Sequence, residues 1–208
     1  MRWQVHSETS LYRDPWLDVR VADVESPDGR RLGHRLVRTE PAAGAVVTDG
    51  HDRVLLIWRH RFITDSSGWE IPLGPVVEGE MPGDVAARQV EEETGWRPGP
   101  LRPLLSIQPG NRFCDSLHHI YRAESATRAG LPAAPREAGR VEWVRLSSLR
   151  RLIGDGEIVC ATSLSSLLYL LVDCLPDDVS PPKAREPASG GDYDPGRRFL
   201  LPDLPELF

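Results

Sequence analysis

The alternation of apolar and polar residues predicts that strands dominate the first two thirds of the chain. Residues 16–26 alternate as a half-buried strand does, and a Pro-Asp-Gly turn follows them. Residues 42–62 hold two apolar runs on either side of Asp49–Gly50, a pair typical of a hairpin corner. Further strands are predicted at residues 101–111, 116–124 and 140–146. A Pro-Gly turn is expected to join the first two of these.

Between Pro82 and Thr94 the apolar spacing changes to three and four residues, which predicts a helix. Pro82 suits the first helical turn, and Gly95 suits a left-handed cap at the end. Two later helices are expected, a short one at residues 148–158 and a longer one at residues 162–175. Strands before and after one central helix, with helices at the end, indicate a mixed α+β domain.

Composition divides the 208 residues into three parts. Residues 1–40 hold N-terminal strands, residues 41–175 form the main domain, and residues 176–208 are a tail rich in Pro, Gly and Asp. Such a composition is typical of a flexible segment. The last ten residues are apolar again, which favours packing against the domain itself over docking on a partner subunit or near the active site.

Charge and cysteine content restrict the possible functions. The net charge is −6 and the pI is near 5.5, so there is no surplus of basic residues to hold a nucleic acid. Three cysteines without a CxxC pair favour a reduced, cytoplasmic protein. The N-terminus lacks the apolar core of a signal peptide, and the longest apolar run is too short to cross a membrane.

The end of the predicted central helix concentrates acidic residues. Gln89 and Glu93 are one turn apart and share a helix face, Glu92 borders it, and Arg88 is spaced to pair with Glu92. Carboxylates converging in this way suit a hard divalent cation, Mg²⁺ or Mn²⁺. The alternative is a solvated acidic face. Because acidic residues at a helix C-terminus oppose the helix dipole, their presence favours a bound cation.

The spacing of these residues is more specific than the cluster itself. The pattern runs over residues 74–96. Five residues separate Gly74 from Glu80, and seven separate Glu80 from the run Arg-Gln-Val at 88–90. One residue then precedes the Glu-Glu pair at 92–93, and one more precedes the Gly-Trp pair at 95–96. This resembles the Nudix hydrolase box at every fixed position except Gln89, where the family has Glu. Segments from about residue 10 to residue 175 also resemble the ADP-ribose and ADP-sugar pyrophosphatase branch, in its actinobacterial form.

The resemblance implies both a fold and a reaction. The fold would be a mixed β-sheet sandwiched between helices (α/β/α), often dimeric through the N-terminal strands. The reaction would be metal-dependent cleavage of a nucleoside diphosphate derivative, with release of a nucleoside monophosphate. The expected partners are therefore this small-molecule substrate, Mg²⁺ or Mn²⁺, and a second copy of the chain in a homodimer.

The resemblance also implies roles for individual residues. The expected metal ligands are Glu92, Glu93, the main-chain carbonyl of Leu73 and, as a neutral ligand, Gln89. Arg88 would orient the glutamates through an ion pair, and Glu80 is the first glutamate of the box. Residues expected to contact the substrate are Glu70, Arg59, Arg61 and Arg112. Glu137 is the candidate for activating water, with Glu142 second.

Gln89 leaves two functions open. An amide oxygen can ligate a cation but brings no charge, and Gln cannot act as a base. Glu91 cannot replace it, because it points to nearly the opposite side of the helix. The chain is therefore expected to be a hydrolase, slow or altered, or else a module that binds a nucleotide or a protein partner without turnover.

Overall fold

A computed structural model describes residues 2–133 and 139–173, which form twelve strands and three helices. The strands are β1 Gln4–Arg13, β2 Leu17–Glu25, β3 Arg31–Thr39, β4 Ala42–Val47, β5 Arg53–Arg61, β6 Ser66–Glu70, β7 Leu73–Pro75, β8 Trp96–Pro98, β9 Arg102–Ile107, β10 His118–Ala123, β11 Ala126–Arg128 and β12 Arg140–Arg145. The helices are α1 Pro82–Thr94, α2 Leu146–Gly154 and α3 Ala161–Asp173. The predicted tail at residues 176–208 lies outside the described residues.

The N-terminal strands form a sheet of their own, in the order β1-β2-β3, with both pairs antiparallel. Gly29, with φ of 82°, closes the predicted turn between β2 and β3. Such a positive φ favours glycine because it has no Cβ. Glu8 joins the three strands, since its carboxylate pairs with Arg20 of β2 and Arg38 of β3.

Three further sheets lie in the main domain. One has the order β7-β4-β10-β9 and contains a parallel pair, β4 with β10. The second has the antiparallel order β12-β5-β6, and the third is the two-stranded antiparallel pair β11-β8. The expected turn at Asp49–Gly50 is present, with φ of 78° at Gly50. The strands on either side of it do not form a hairpin ladder, because only Thr48 and Val54 pair across the turn. Instead, β4 and β5 lie in different sheets.

Helices cover both sides of these sheets. One apolar core contains Val85, Ala86 and Val90 of α1, and the other contains Leu149 of α2 and Leu167 of α3. The strands contribute to both cores because their residues alternate in direction: Ala45 of β4 belongs to the α1 side and Val46 to the α2–α3 side. The arrangement confirms the expected α+β fold with a sheet between helices.

The predicted helices agree with the structure within a few residues. α1 has the predicted bounds, and its cap Gly95 has φ of 71°, with its N–H donating to the carbonyl of Glu91. Of the three helices in the described part of the chain, none is long and apolar enough to cross a membrane.

Three short strands and one long connection differ from the predictions. β7, β8 and β11 have three residues each, too few to show a period in sequence. The strands β9 and β10 pair as antiparallel neighbours, but residues 108–117 connect them instead of a tight Pro-Gly turn. This connection lies along the N-terminal sheet, where Cys114 bridges Val37 of β3.

Candidate active site

The site begins where α1 crosses the short strand β7. The side-chain amide of Gln89 lies directly on Gly74, so that a Cβ at position 74 would be 2.3 Å from the Gln89 Cδ. Only glycine permits such an approach, which gives a physical reason for glycine at the start of the box. The end of the Gln89 side chain therefore lies against the backbone of β7.

Glu93, one turn further along α1, faces the same strand. The backbone N–H of Leu73 donates to Glu93 Oε2 at 3.3 Å. Arg59 of β5 donates a hydrogen bond to each oxygen of this carboxylate. Nη2 donates to Oε2 at 2.9 Å, and Nη1 donates to Oε1 at 3.3 Å. The expectation that positions 89 and 93 share a face is thus confirmed, and that face meets Leu73 and Gly74.

Burial raises the pKa of Glu93. Its side chain is only 12% exposed, and desolvation raises the pKa of this carboxyl above its ordinary value. The Arg59 guanidinium and the Leu73 N–H act in the opposite direction, because they stabilise the carboxylate, but they do not cancel the effect of burial on the pKa.

A chain of ion pairs continues from Glu93 to the surface. Arg59 is 4% exposed, and its Nε lies 3.8 Å from Glu70 Oε2. Glu70 in turn accepts two hydrogen bonds from Arg61, whose Nε donates to Oε1 at 3.0 Å. This contact with Glu70 raises the pKa of Arg61. Since Arg61 is half exposed and Arg59 is buried, Arg61 is the better placed of the two to contact a substrate.

Arg88 pairs with the first glutamate of the box. Its Nη2 lies 2.9 Å from Glu80 Oε1, and Glu80 Oε2 also accepts the Val77 N–H at 3.3 Å. Within the described residues Arg88 does not pair with Glu92, contrary to the spacing argument. Arg88 thus holds the loop before α1, and Glu92 stays exposed at the border of the site.

The remaining acidic residue of the cluster points away, as expected. Glu91 forms a two-fold ion pair with Arg97, at 2.8 and 2.9 Å, on the outer side of α1. This contact lowers the pKa of Glu91. Glu91 therefore belongs to the surface and not to the site.

Three other candidate residues lie elsewhere or outside the described residues. Arg112 is in the connection between β9 and β10, where its carbonyl contacts His34 Nε2 of β3 at 2.9 Å. Glu142 of β12 is exposed and pairs with Arg140 at 2.9 Å. Glu137 lies outside the described residues. The predicted roles of these three in substrate binding and water activation stay predictions.

The proposed ligands near β7 are oxygen atoms, the type of ligand that a hard divalent cation prefers. Glu92 offers an exposed carboxylate, Glu93 keeps part of its carboxylate free, and Gln89 offers a neutral amide oxygen. Within residues 2–133 and 139–173, no three Asp, Glu, His or Cys side chains form a metal cluster. The described donors thus supply two negative charges, which is few for a divalent site.

Sequence reasoning missed the partner of Glu93. The resemblance implied a substrate contact for Arg59, and the spacing pattern within one helix says nothing about a strand that packs against it. A signal was nevertheless present, since Arg59 directly follows the apolar run 54–58 of a strand. A buried arginine needs a carboxylate partner.

Comparison with known families agrees with this geometry. The NUDIX domain family matches residues 38–160, and a family described as the nucleoside diphosphate sugar hydrolase N-terminal domain matches residues 3–37. The second match coincides with the separate sheet β1–β3. A crystal structure of an ADP compounds hydrolase has a similar fold, with a TM-score of 0.71 at 20% identity over 82% of this chain and 93% of that chain.

Two relatives extend the similarity over most of the chain. The CMP-5'-(N-acetyl-N-hydroxy-3-aminopropyl)phosphonate hydrolase of Streptomyces rubellomurinus is 42% identical over 171 residues, 82% of this chain and 83% of the relative. The ADP-ribose pyrophosphatase of Bacillus subtilis is 25% identical over 169 residues, 79% of this chain and 90% of the relative. The chain therefore belongs to the Nudix family of hydrolases.

Proposed function

We propose that this protein hydrolyses the phosphoric anhydride of a nucleoside diphosphate derivative with the help of Mg²⁺ or Mn²⁺. The observation that carries the proposal is the meeting of Gln89 and Glu93 with the backbone of β7 at Gly74 and Leu73. Gln89 and Glu93 of one helix thereby lie against the strand whose Leu73 carbonyl is a further proposed ligand. Glu92, the exposed neighbour of Glu93 along the helix, is proposed to add the second carboxylate.

In the proposed reaction, a P–O bond forms to water while the P–O bond to the bridging oxygen breaks. The water gives up a proton, and the products are a nucleoside monophosphate and a phosphorylated remainder. A bound divalent cation neutralises phosphate charge and lowers the pKa of water. Glu92, Glu93, Gln89 and the Leu73 carbonyl are the proposed ligands. Glu137 is the proposed base, and Arg61 the proposed contact to the substrate phosphates.

The relatives suggest two chemical forms of the substrate. The name of the Streptomyces relative describes a cytidine monophosphate group joined to a phosphonate, and the name of the Bacillus relative describes ADP-ribose. Both contain a nucleoside 5'-phosphate attached to a second group that hydrolysis releases. We propose that this chain acts on a compound of this class.

Gln89 supports one alternative, a module that binds a nucleotide or a protein partner without turnover. Because Gln89 carries no charge, it weakens the attraction for a cation, and it cannot accept a proton from water. Apart from this residue, the box matches an active hydrolase. We therefore prefer the enzyme and keep the binding module as the second candidate.

The deciding experiment is hydrolysis of ADP-ribose, an ADP-sugar and a CMP-phosphonate by the purified protein, with Mg²⁺ and then with Mn²⁺. Release of AMP or CMP, detected by chromatography and lost in Glu93→Gln, is the expected result. If the whole panel stays intact while Gln89→Glu releases monophosphate under the same conditions, the protein is the binding module.

We also propose a cytoplasmic homodimer formed through the N-terminal sheet. Six large apolar side chains of this region are between 42% and 77% exposed: Trp3, Val5, Leu11, Tyr12, Trp16 and Leu32. Exposed apolar area of this kind is typical of a protein interface. The free thiols of Cys114 and Cys160 support a reducing compartment. Light scattering should give twice the chain mass, and Leu11→Glu should give the monomer; a monomeric wild-type protein would contradict the dimer.

A further inference from the structure

We infer that Arg59 is a positioning residue for Glu93 and determines which of its oxygens can bind a metal. The inference rests on the proposed function, because it concerns the same metal site. It replaces the expected role of Arg59 as a substrate contact. Its basis is the geometry around one buried carboxylate.

The contacts of Glu93 leave its two oxygens unequal. Oε2 accepts hydrogen bonds from Arg59 Nη2 at 2.9 Å and from the Leu73 N–H at 3.3 Å. A carboxylate oxygen has two lone pairs, so both of those on Oε2 are in use. Oε1 accepts only Arg59 Nη1, at 3.3 Å, from the described residues. The remaining lone pair of Oε1 is the position that Glu93 can offer to a cation.

Arg59 is itself fixed in place. Its side chain is 4% exposed. Its Nε lies 3.8 Å from Glu70 Oε2, so the guanidinium forms a second ion pair in addition to the one with Glu93. Glu70 is held by Arg61 in turn. A guanidinium has a rigid, planar set of donors, so its two contacts to Glu93 fix the plane of the carboxylate as well as its position. A guanidinium so enclosed is poorly placed to bind a substrate that arrives from solvent.

This arrangement matters more in the present chain than in one with the usual glutamate. Gln89 provides no charge, so Glu93 and the exposed Glu92 are the charged ligands of the proposed site. A single oxygen of Glu93, held in one direction, then carries a large share of the metal affinity. Residues that orient metal ligands typically contribute ten- to a hundredfold to affinity or activity.

The test uses a variant that keeps the positive charge at position 59 and changes the geometry of its hydrogen-bond donors. Arg59→Lys retains the positive charge near Glu93 but loses the planar pair of donors. Arg97→Lys makes the same change at an arginine that pairs with Glu91 on the outer side of α1 and not with Glu93. Mn²⁺ binding to the full chain is followed by electron paramagnetic resonance, and Glu93→Gln shows whether the ion binds at this residue. Circular dichroism identifies any variant that fails to fold.

Arg59→Lys should bind Mn²⁺ at least about tenfold more weakly than wild type, and Arg97→Lys within about twofold of it. With substrate, Arg59→Lys should lower kcat and raise the activating metal concentration, leaving KM nearly unchanged. A substrate contact would instead raise KM. Equal Mn²⁺ affinity of Arg59→Lys and wild type overturns the inference while the metal site stands.

Two other outcomes are also decisive. If wild type binds no Mn²⁺, or binds it equally well after Glu93→Gln, the proposed metal site fails and the inference fails with it. If Arg59→Lys does not fold, Arg59→Gln is measured instead, because its amide keeps a planar donor but cannot form the paired contact to both oxygens of Glu93. An unchanged or increased Mn²⁺ affinity of that variant would overturn the inference.

Discussion

The amide of Gln89 and the Cα of Gly74 are in direct contact, with no room for a side chain at position 74. A helix residue and a strand residue thereby define one surface of the site. The contact also explains how a glutamine can take this place in the box, because an amide has nearly the same shape as the carboxylate it replaces. The shape is kept and the charge is lost.

Gly74→Ala should force Gln89 away from β7. An added Cβ would be 2.3 Å from the Gln89 Cδ, so the strand or the side chain must move. Because the clashing atoms are the end of a flexible side chain, Gln89 can turn away, so we expect the free energy of unfolding to fall by only about 1 kcal/mol. Activity should fall because the amide leaves the site. Chemical denaturation measures the loss.

The control for this variant is Gly154→Ala, at the end of α2, where a Cβ meets open space. It should leave stability nearly unchanged. In the double variant Gly74→Ala with Gln89→Ala, the clash is gone and part of the stability should return, as two residues in contact are coupled. Additive losses would show that the two side chains do not compete for the same space.

Gln89→Glu should increase the affinity of the site for Mg²⁺ or Mn²⁺. Two unit charges about 4 Å apart attract each other by about 1 kcal/mol even in bulk water, and a divalent cation doubles this. The metal concentration for half-maximal activity should therefore fall about thirtyfold. Glu91→Gln, on the outer side of α1, should change this concentration by less than about twofold. An unchanged metal requirement in Gln89→Glu would mean that position 89 lies too far from the cation.

Glu70→Gln should destabilise the protein strongly. Glu70 is buried between Arg59 and Arg61, and its loss leaves the buried Arg59 with one partner fewer. Removing one partner from a buried ion pair typically costs about 3 kcal/mol or more. Glu91→Gln breaks the more exposed pair with Arg97 and should cost less than about 1 kcal/mol. Thermal and urea unfolding of the two variants compare these losses, and equal losses would contradict the role of burial.

Stability should decrease in mild acid because of His118. Burial, with a smaller contribution from His119, lowers the pKa of His118 below its ordinary value of about 6.5. As the pH falls, the unfolded chain therefore takes up a proton at this residue before the folded chain does. Stability is lost from about pH 6.5 downwards and levels off below the pKa of the folded state.

Urea unfolding at about pH 7.5 and about pH 5.5 tests this dependence. His118→Asn should show a smaller loss between the two values than wild type, since it has no proton to take up. His51→Asn, at an exposed position, should match wild type. Equal losses in wild type and His118→Asn would assign the acid sensitivity to other groups.

The sequence predicted the parts of the fold that follow from local periodicity. α1 has thirteen residues and a clear pattern, so its bounds were predicted correctly. Strand pairing was harder to predict. The two apolar runs in residues 42–62 flank a turn as in a hairpin, but β4 and β5 pair with other strands, in different sheets. Which strands pair depends on segments distant in sequence, and no short window contains that information.

The same limit applies to the site. Gln89 and Glu93 were placed on one face because four residues make about one helical turn, and the structure confirms this. Arg59 as the partner of Glu93 was missed, because that contact joins β5 to α1 across the domain. Arg88 was expected to pair with Glu92, four residues on, but it pairs with Glu80, which the loop before α1 brings within reach.

The parallel pair of β4 and β10 affects how the protein folds. Every residue from Ala42 to Val47 has its partner between His118 and Ala123, and the segment between contains α1 and the whole box. These two strands can meet only after the chain between them has become compact, and long-range pairing of this kind makes folding slow. During synthesis, β4 therefore cannot pair with β10 until most of the domain has left the ribosome. A chain truncated before His118 lacks the strand that lies between β4 and β9 in this sheet.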